Sequence, residues 1–383
     1  MRTFGLLREL SEGLDVELII LARRPLTQAQ EDTLGGICSK VTRIALRDRS
    51  VVDRLRAIMV MLRRGSPYHC ALLEVAMSSN TAQRRYVKQF PGVVFTSHGL
   101  WGTLIRDRPA HNWILNQCDA EVEFWRAYAA QARGVLVRLV ARVSYFLTRR
   151  HMPRIYGNVG CIISVCEEDR LLTRKLAPDA RVEVVENGVD CTYYTPLEAR
   201  QPGRPHLLFT GTAARRNVAA LRDFAESILP LIAREVPGVE LVVAGDFDAR
   251  TQRQFRRFPQ LHFTGVLDDL RPVFIPDAVF VAPFRDAHGS KLKIAEAMAM
   301  GLAIVTTPPG ARGFPVVEGE SVVIARSNEH FAAAVVALLA DASLRERIGA
   351  RARAVAVSCI DWRLLGKRLR RIVNSVASEL PLS

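Results

Sequence analysis

The second half of the chain alternates short, almost wholly apolar segments with longer segments of helical periodicity. The apolar segments are HLLFT at 206–210, ELVVAG at 240–245, LHFTG at 261–265, AVFVAP at 278–283 and LAIVTT at 302–307. Strands that are apolar on both faces are typical of parallel sheets covered by helices. The alternation therefore predicts a doubly wound parallel sheet, whose ligands should bind at the carboxyl ends of the strands.

The first half repeats this alternation less regularly, with apolar segments at 16–21, 41–46, 92–97, 112–116, 161–165 and 181–186. A proline-rich segment, TPLEARQPGRP, separates the two halves. We therefore predict an α/β protein with two Rossmann-like, doubly wound parallel-sheet domains. The predicted parts are a first domain at 1–195, a linker at 196–205, a second domain at 206–355, and a terminal helix at 356–383 that could cross back to the first domain.

The start of the chain lacks one expected element. Residues 3–12, TFGLLRELSE, are typical of the first helix of a Rossmann-type domain, yet no strand or glycine-rich turn precedes them. We interpret this as a first strand missing through a lost or misassigned N-terminus. A sheet built with one strand fewer is the alternative.

Hydropathy and cysteine content favour a cytoplasmic protein. No run of about 18 apolar residues is present, and the first residues are amphipathic rather than a signal peptide. The seven cysteines are scattered, with neither a CxxC pair nor Cys/His spacing typical of metal sites. We therefore expect reduced thiols and no metal.

The chain carries a formal net charge of +14 at pH 7, and its basic residues are spread along the chain, with notable amphipathic clusters at 51–64 and 133–154. Arginine alternating with Val, Leu and Ile at helical spacing is typical of a surface helix on an anionic membrane. A basic helix face in solvent is an equal alternative. Nucleic-acid binding would rest on charge alone, because no zinc-finger spacing, RRM aromatics or bZIP heptads occur, so we expect no nucleic-acid partner.

Two lysines, Lys291 and Lys293, lie at a predicted helix start, where positively charged side chains are unfavourable. If Ser290 caps a helix that runs to Met300, both ammonium groups lie in the first turn, where the helix dipole repels cations. Only six of the 53 basic residues are lysines. A phosphate held between the free N–H groups and both lysines would resolve the conflict. The alternative is solvated surface charge, with Lys293 paired to Glu296.

Glu296 is a lone carboxylate in the segment IAEAMAM. The side chains around it are too small and apolar for a solvent-facing surface, so the carboxylate needs a partner. It lies three residues after Lys293, on nearly the same helix face, and could accept the two hydroxyls of a ribose. Phosphate and diol together indicate a nucleotide site.

Several segments together resemble the retaining GT-B glycosyltransferases of the family 4 type, over nearly the whole chain. The most specific is GSKLKIAEAMAMGLAIVTTPPGARGF, which is similar to the family signature GxxLKxLEAMAxGxPVVxTxxGxxG. Four segments of the first half also resemble family segments: RTFGLLREL, ILNQCDAEVEFWRAYA, ISVCEEDRLLTRKLAP and VVENGVD.

The resemblance implies two Rossmann-like domains facing across a cleft. It implies transfer of a sugar, of the hexosyl class, from a nucleotide-diphosphate sugar to a hydroxyl acceptor, either a polysaccharide or a lipid-linked glycan. Retention of configuration, independence of metal and no cofactor beyond the donor substrate are also implied. A cytoplasmic protein, with a peripheral place on the inner membrane as an option, fits these expectations.

The resemblance also implies roles for individual residues. Glu296 matches the second Glu of the family's E-x7-E pair, expected on the ribose, and Val266 and Leu267 would lie beside the base. The remaining residues expected to hold the diphosphate and the donor sugar are Gly211, Thr212, Arg216, Gly289, Ser290, Lys291, Leu292 and Lys293.

Three residues are candidates for the reacting centre: Cys118, His98 and His288. Cys118 falls where the family has a His, and His288 falls on the first Glu of the E-x7-E pair. His98 ends a predicted strand, although a hydrogen-bonded loop histidine is the alternative. These departures, with the missing strand, leave a second hypothesis open: a non-catalytic relative that binds nucleotide or sugar as an assembly partner.

Overall fold

The computed structural model describes residues 2–22, 24–45, 50–65, 67–76, 85–87, 89–96, 110–117, 121–131, 134–196, 206–285 and 291–380. The chain divides into two compact units. The first unit comprises Met1–Val185 and Gly366–Ser383, and the second comprises Glu186–Leu365.

The first unit contains two parallel sheets. One pairs β1 (Glu17–Ala22) with β2 (Lys40–Ala45), and the other has the order β3 (Val94–Thr96), β4 (Ala110–Asn116), β5 (Val159–Ser164), β6 (Val182–Val184). Its helices are α1 (Arg2–Ser11), α2 (Gln28–Gly35), α3 (Val51–Arg64), α4 (Tyr68–Ala76), α5 (Glu121–Gln131), α6 (Val135–Tyr156) and α7 (Glu167–Leu176). Trp113 and Ile162 of the second sheet pack with Met152 of α6 in the core.

Helix α3 is bounded by strong local signals. Ser50 accepts a hydrogen bond from the Asp53 amide at 3.0 Å, and the Asp53 carboxylate accepts from the Ser50 amide at 3.2 Å. This reciprocal capping box satisfies two amides at the helix start. Gly65 ends the helix in the left-handed region, with φ of 60°. No helix in the described part of the chain is long and apolar enough to cross a membrane.

The second unit is built on one six-stranded parallel sheet. Its strands are β7 (Leu207–Thr210), β8 (Leu241–Ala244), β9 (Leu261–Gly265), β10 (Val279–Ala282), β11 (Ala303–Thr306) and β12 (Val323–Ile324). The helices are α8 (Arg215–Asp223), α9 (Leu229–Glu235), α10 (Ala249–Arg253), α11 (Leu292–Ala299), α12 (Pro308–Ala311), α13 (Asn328–Ala340) and α14 (Ala342–Val355). Strands β7, β10 and β11 are buried throughout, as expected for a sheet covered on both faces.

The strand order of this sheet is β12-β11-β10-β7-β8-β9. From β7 the chain adds β8 and β9 in one direction, whereas β10, β11 and β12 extend in the other. The order therefore reverses between β7 and β10, and the carboxyl ends of these two strands form the crevice in which such sheets bind ligands. The prediction of an α/β protein with parallel sheets is confirmed.

The unit boundaries differ from the predicted ones at 195 and 355. Residues after Glu186 pack within the second unit: the Val189 amide donates to the Ile360 carbonyl at 2.9 Å, and Arg353 donates to the Cys191 carbonyl at 2.9 Å. The last helix, α15 (Trp362–Ser378), begins in the second unit and continues in the first.

Candidate functional site

Two glycines bring the carboxyl ends of β7 and β8 into contact. The Gly211 amide donates to the Ala244 carbonyl at 2.9 Å. Gly245 has φ of +122°, and a Cβ atom there would lie 2.0 Å from the Gly211 carbonyl oxygen. Only glycine fits this combination of conformation and contact. The two loops consequently form a rigid backbone edge beside the crevice.

Side chains of α11 and α8 also restrict the space around Gly211. A Cβ atom on Gly211 would lie 2.9 Å from Lys293 Nζ and 3.0 Å from Asn217 Nδ2. The Lys293 side chain therefore reaches from the start of α11 to the end of β7. The predicted residues Gly211 and Lys293 are direct neighbours.

The Lys293 ammonium is held by hydrogen bonds from two elements. Lys293 Nζ donates to the Thr210 carbonyl and, at 2.9 Å, to Asn217 Oδ1. The Asn217 amide Nδ2 donates in turn to the Thr212 carbonyl at 3.1 Å. Asn217 thus links the lysine to the loop after β7. The ammonium also lies 4.8 Å from the centroid of the Phe209 ring.

The pKa of Lys293 is lowered to about 7. Burial is the largest cause, the Glu296 carboxylate opposes it, and the positive charges of Lys291 and Arg216 add to the lowering. Lys291 itself is only 8% exposed. Both ammonium groups approach the Phe284 ring, at 5.6 Å for Lys291 and 5.1 Å for Lys293. Neither lysine is therefore solvated surface charge, and an anion bound here would relieve their repulsion.

The helix start differs by one residue from the prediction. Lys291, with φ of −96° and ψ of 94°, is the N-cap of α11, and its side chain makes no capping hydrogen bond. The helix ends at Ala299, with Met300 as its C-cap. Lys293 still lies in the first turn, close to the free amides of the helix start. Leu292, the first helical residue, is half-buried beside it.

Glu296 lies on the buried side of α11 and is 7% exposed. Burial raises the pKa of Glu296, and this rise is opposed by the charge of Lys293 and by a hydrogen bond with Tyr194. Tyr194 is itself buried, and its ring packs edge-on against Phe274 at 6.3 Å. The carboxylate is therefore oriented by a fixed aromatic hydroxyl.

The other predicted residues of the second unit lie around the same sheet edge. Thr212 and Arg216 are exposed in the loop after β7 and in the first turn of α8. Val266 follows Gly265, the positive-φ glycine that ends β9, and is 72% exposed. Leu267 is partly buried against the core. An exposed valine next to a half-buried leucine offers an apolar edge.

Five predicted residues lie outside the described part of the chain: His98, Cys118, His288, Gly289 and Ser290. Within the described part, no three His, Cys, Asp or Glu side chains lie close enough together to hold a metal ion.

Sequence reasoning missed Asn217 and Tyr194. Asn217 follows two arginines at a helix start and carries no motif, and its link to Lys293 joins residues far apart in the chain. Tyr194 falls just before the proline-rich segment, inside the predicted first domain. The structure places it in the second unit, beside Glu296.

Part of the chain matches the model of one protein family. Residues 204–341 match the family model of glycosyl transferases group 1. An uncharacterised 44.6 kDa protein in the cps region of Klebsiella pneumoniae is 22% identical over 339 residues, which cover 85% of this chain and 82% of that protein. The GDP-mannose:cellobiosyl-diphosphopolyprenol alpha-mannosyltransferase of Xanthomonas campestris is 26% identical over 252 residues, covering 63% of this chain and 62% of that protein.

Solved structures share the fold at low identity. Sucrose-phosphate synthase from Thermosynechococcus elongatus aligns with a TM-score of 0.71 and 17% identity, covering 98% of this chain and 92% of that chain. HepE from Anabaena, in complex with UDP, aligns with a TM-score of 0.63 and 12% identity, covering 97% and 95%. WaaG, a glycosyltransferase involved in lipopolysaccharide biosynthesis, aligns with a TM-score of 0.61 and 14% identity, covering 97% and 95%. The chain therefore has the GT-B fold, and its residues 204–341 match the model of the group 1 glycosyltransferases.

Proposed function

We propose that the chain transfers a hexosyl group from a nucleotide-diphosphate sugar to an acceptor hydroxyl, with retention of configuration. The observation that carries the proposal is that the partly buried Lys293 and the buried Glu296 lie one helical turn apart at the strand reversal between β7 and β10. A nucleoside diphosphate would supply negative charge beside the lysine and, besides the Tyr194 hydroxyl, two further hydroxyl donors for the carboxylate. HepE was solved with UDP, and the Xanthomonas relative is named for GDP-mannose, which supports this class of donor.

The proposed binding mode follows the positions of the side chains. The diphosphate lies against Lys291, Lys293 and Arg216, near the free amides at the start of α11. The ribose hydroxyls donate to Glu296, whose orientation is fixed by Tyr194. The base lies beside Val266, where the exposed apolar edge would cover one face of the ring.

In the chemical step the bond between the anomeric carbon and the β-phosphate oxygen breaks through an oxocarbenium-like state. The acceptor oxygen forms the new bond to that carbon, and its proton passes to the departing diphosphate. Negative charge grows on the β-phosphate as the sugar–phosphate bond breaks. Lys293 is already held by the Thr210 carbonyl and Asn217, so it needs no reorganisation to stabilise that charge. Because Lys291, Lys293 and Arg216 supply the positive charge, we propose that transfer needs no metal ion, which activity at unchanged rate in EDTA would support.

Donor binding is tested by calorimetric titration with UDP, GDP, ADP and their sugar conjugates. We expect one nucleotide series to bind, with affinity reduced roughly tenfold or more in Glu296→Gln, since a charged acceptor of two hydrogen bonds is lost. Glu346→Gln, on an exposed residue of α14, is the matched control and should bind like the parent. Absence of binding by all three series, in protein shown to be folded, would overturn the proposal.

The second candidate, a relative that binds nucleotide without catalysis, is favoured by Cys118 and His288, which differ from the resembled family. Transfer and donor hydrolysis are measured with the nucleotide sugar that binds, and the anomeric configuration of the product is read by proton NMR. Transfer with retention supports the enzyme. Binding without transfer in the parent, together with turnover gained in Cys118→His, would favour the second candidate.

We further propose a polysaccharide or lipid-linked glycan as the acceptor, at the cytoplasmic face of the inner membrane. The support is the name of the Xanthomonas relative, which includes a diphosphopolyprenol, and the cps region of the Klebsiella relative. Labelled sugar recovered in the organic phase, after incubation with polyprenyl-diphosphate-linked glycans, is the expected result. Label that appears only on water-soluble acceptors would contradict the lipid-linked form.

A further inference from the structure

Helix α3 in the first unit carries an apolar stripe on its exposed side. Val51, Leu55, Met59 and Leu62 recur at helical spacing and fall within a sector of roughly 80° around the helix axis. Val51 is 71% exposed and Leu62 is 65% exposed. This stripe is unusual, because an amphipathic helix normally turns such residues toward the core.

The core side of α3 is already occupied by other residues. Ala57 and Met61 are buried, and they form one cluster with Ala71 of α4 and with Val143 and Leu147 of α6. The exposed stripe is thus a second apolar face on a helix that is packed in the normal way. Folding of the first unit does not require it.

Helix α6 begins with a second exposed apolar segment. Val135 is 87% exposed and Leu136 is 73% exposed, and Val137 and Leu139 are also exposed. Further along the same helix, Phe146 is exposed as well. Helices α3 and α6 together carry half of the large apolar side chains that are exposed in the described part of the chain.

Arginines flank both apolar segments. Around the axis of α3, Arg56 and Arg63 border the apolar stripe on one side and Arg54 borders it on the other. Helix α6 contains five arginines and no Asp or Glu. Two acidic side chains of α3 and α4 are engaged by arginine, Asp53 with Arg56 at 3.8 Å and Glu74 with Arg64. The surface is therefore apolar and cationic at once.

We propose that α3 and the first turns of α6 form a lipid-binding surface for an anionic bilayer, with the apolar side chains among the acyl chains and the arginines at the phosphates. A second copy of the chain fits less well, because a two-fold contact would bring arginines against arginines. Nucleic acid would leave the apolar stripe in water. A bilayer with anionic headgroups satisfies both components.

The test is vesicle flotation of the full chain, without nucleotide, so that its outcome does not depend on the proposed activity. Vesicles contain either phosphatidylcholine alone or equal parts of phosphatidylcholine and phosphatidylglycerol. We expect preferential binding to the anionic vesicles, weakened by salt. The triple variant Val51→Ser, Leu55→Ser, Leu62→Ser should bind roughly tenfold or more weakly at any salt concentration. Arg56→Gln with Arg63→Gln should lose the preference for phosphatidylglycerol.

The matched control changes exposed leucines elsewhere, Leu171→Ser with Leu364→Ser, and should float like the parent. All variants alter exposed side chains, and thermal melting checks that each is folded. Three outcomes would overturn the proposal: no flotation of the parent, equal flotation of the triple variant and the parent, or self-association in light scattering that the triple variant abolishes.

Discussion

At the scale of single residues, Lys293 is the most electrostatically strained group of the site. With a pKa of about 7, its side chain is partly deprotonated near neutral pH in the ligand-free protein. A bound diphosphate would favour the ammonium and raise this pKa, so binding above pH 7 should take up a proton. In the ligand-free protein below pH 7, burial of the ammonium lowers the free energy of unfolding by its full amount. This loss of stability shrinks as pH rises from 7 toward the ordinary lysine pKa, because in that range the folded protein has released the proton and the unfolded chain still holds it.

This linkage predicts a pH dependence of donor affinity. The affinity of the parent should be constant below about pH 7 and fall by up to about tenfold per pH unit above it. Titration with the nucleotide sugar avoids the terminal phosphate of a free diphosphate, which titrates in the same range. Lys293→Arg keeps its charge throughout and should show little change. A parent affinity that is constant from pH 6 to 9 would contradict the role of Lys293.

At the scale of elements, the contact between the loops after β7 and β8 depends on Gly245. We expect Gly245→Ala to lower the free energy of unfolding by about 2–4 kcal/mol, since the added Cβ would meet the Gly211 carbonyl and the φ of +122° is unfavourable for alanine. Gly238→Ala is the matched control, because Gly238 has φ of +79° but open space around its Cα. It should cost only about 1 kcal/mol. Urea denaturation measures both, and equal losses would mean that the contact is unimportant.

The elements were largely predictable from the sequence, because five of the six strands of the second unit lie in short, mostly apolar segments; β12 (Val323–Ile324) was not predicted. The position of Lys293 in the first turn of α11 followed from the same kind of local pattern. Asn217 and Tyr194 were not predictable, because they meet Lys293 and Glu296 only after the sheet brings distant segments together. Tyr194 was further hidden by the predicted boundary at 195, since the chain enters the second unit already at Glu186.

At the scale of the whole molecule, two compact units predict two unfolding transitions, and α15 contributes to the packing of the first. A Cβ atom on Gly366 would lie 2.3 Å from Glu9 Cβ. Gly366→Ala should therefore lower the stability of the first unit by about 2–4 kcal/mol and leave nucleotide affinity unchanged. Calorimetry resolves the two transitions, and Gly35→Ala, with open space at its Cα, is the control. A shift of both transitions together would contradict independent unfolding.

The glycine at the end of β8 constrains how such a chain can change in evolution. Gly245 allows the backbone contact with the carbonyl of residue 211, so selection for a folded protein retains it whether or not a ligand is bound. Lys293 costs stability until a ligand neutralises it, so a descendant that no longer binds should replace it by a neutral residue. Among relatives of this chain, loss of the lysine with Gly245 kept would mark the lineages in which donor binding has been abandoned.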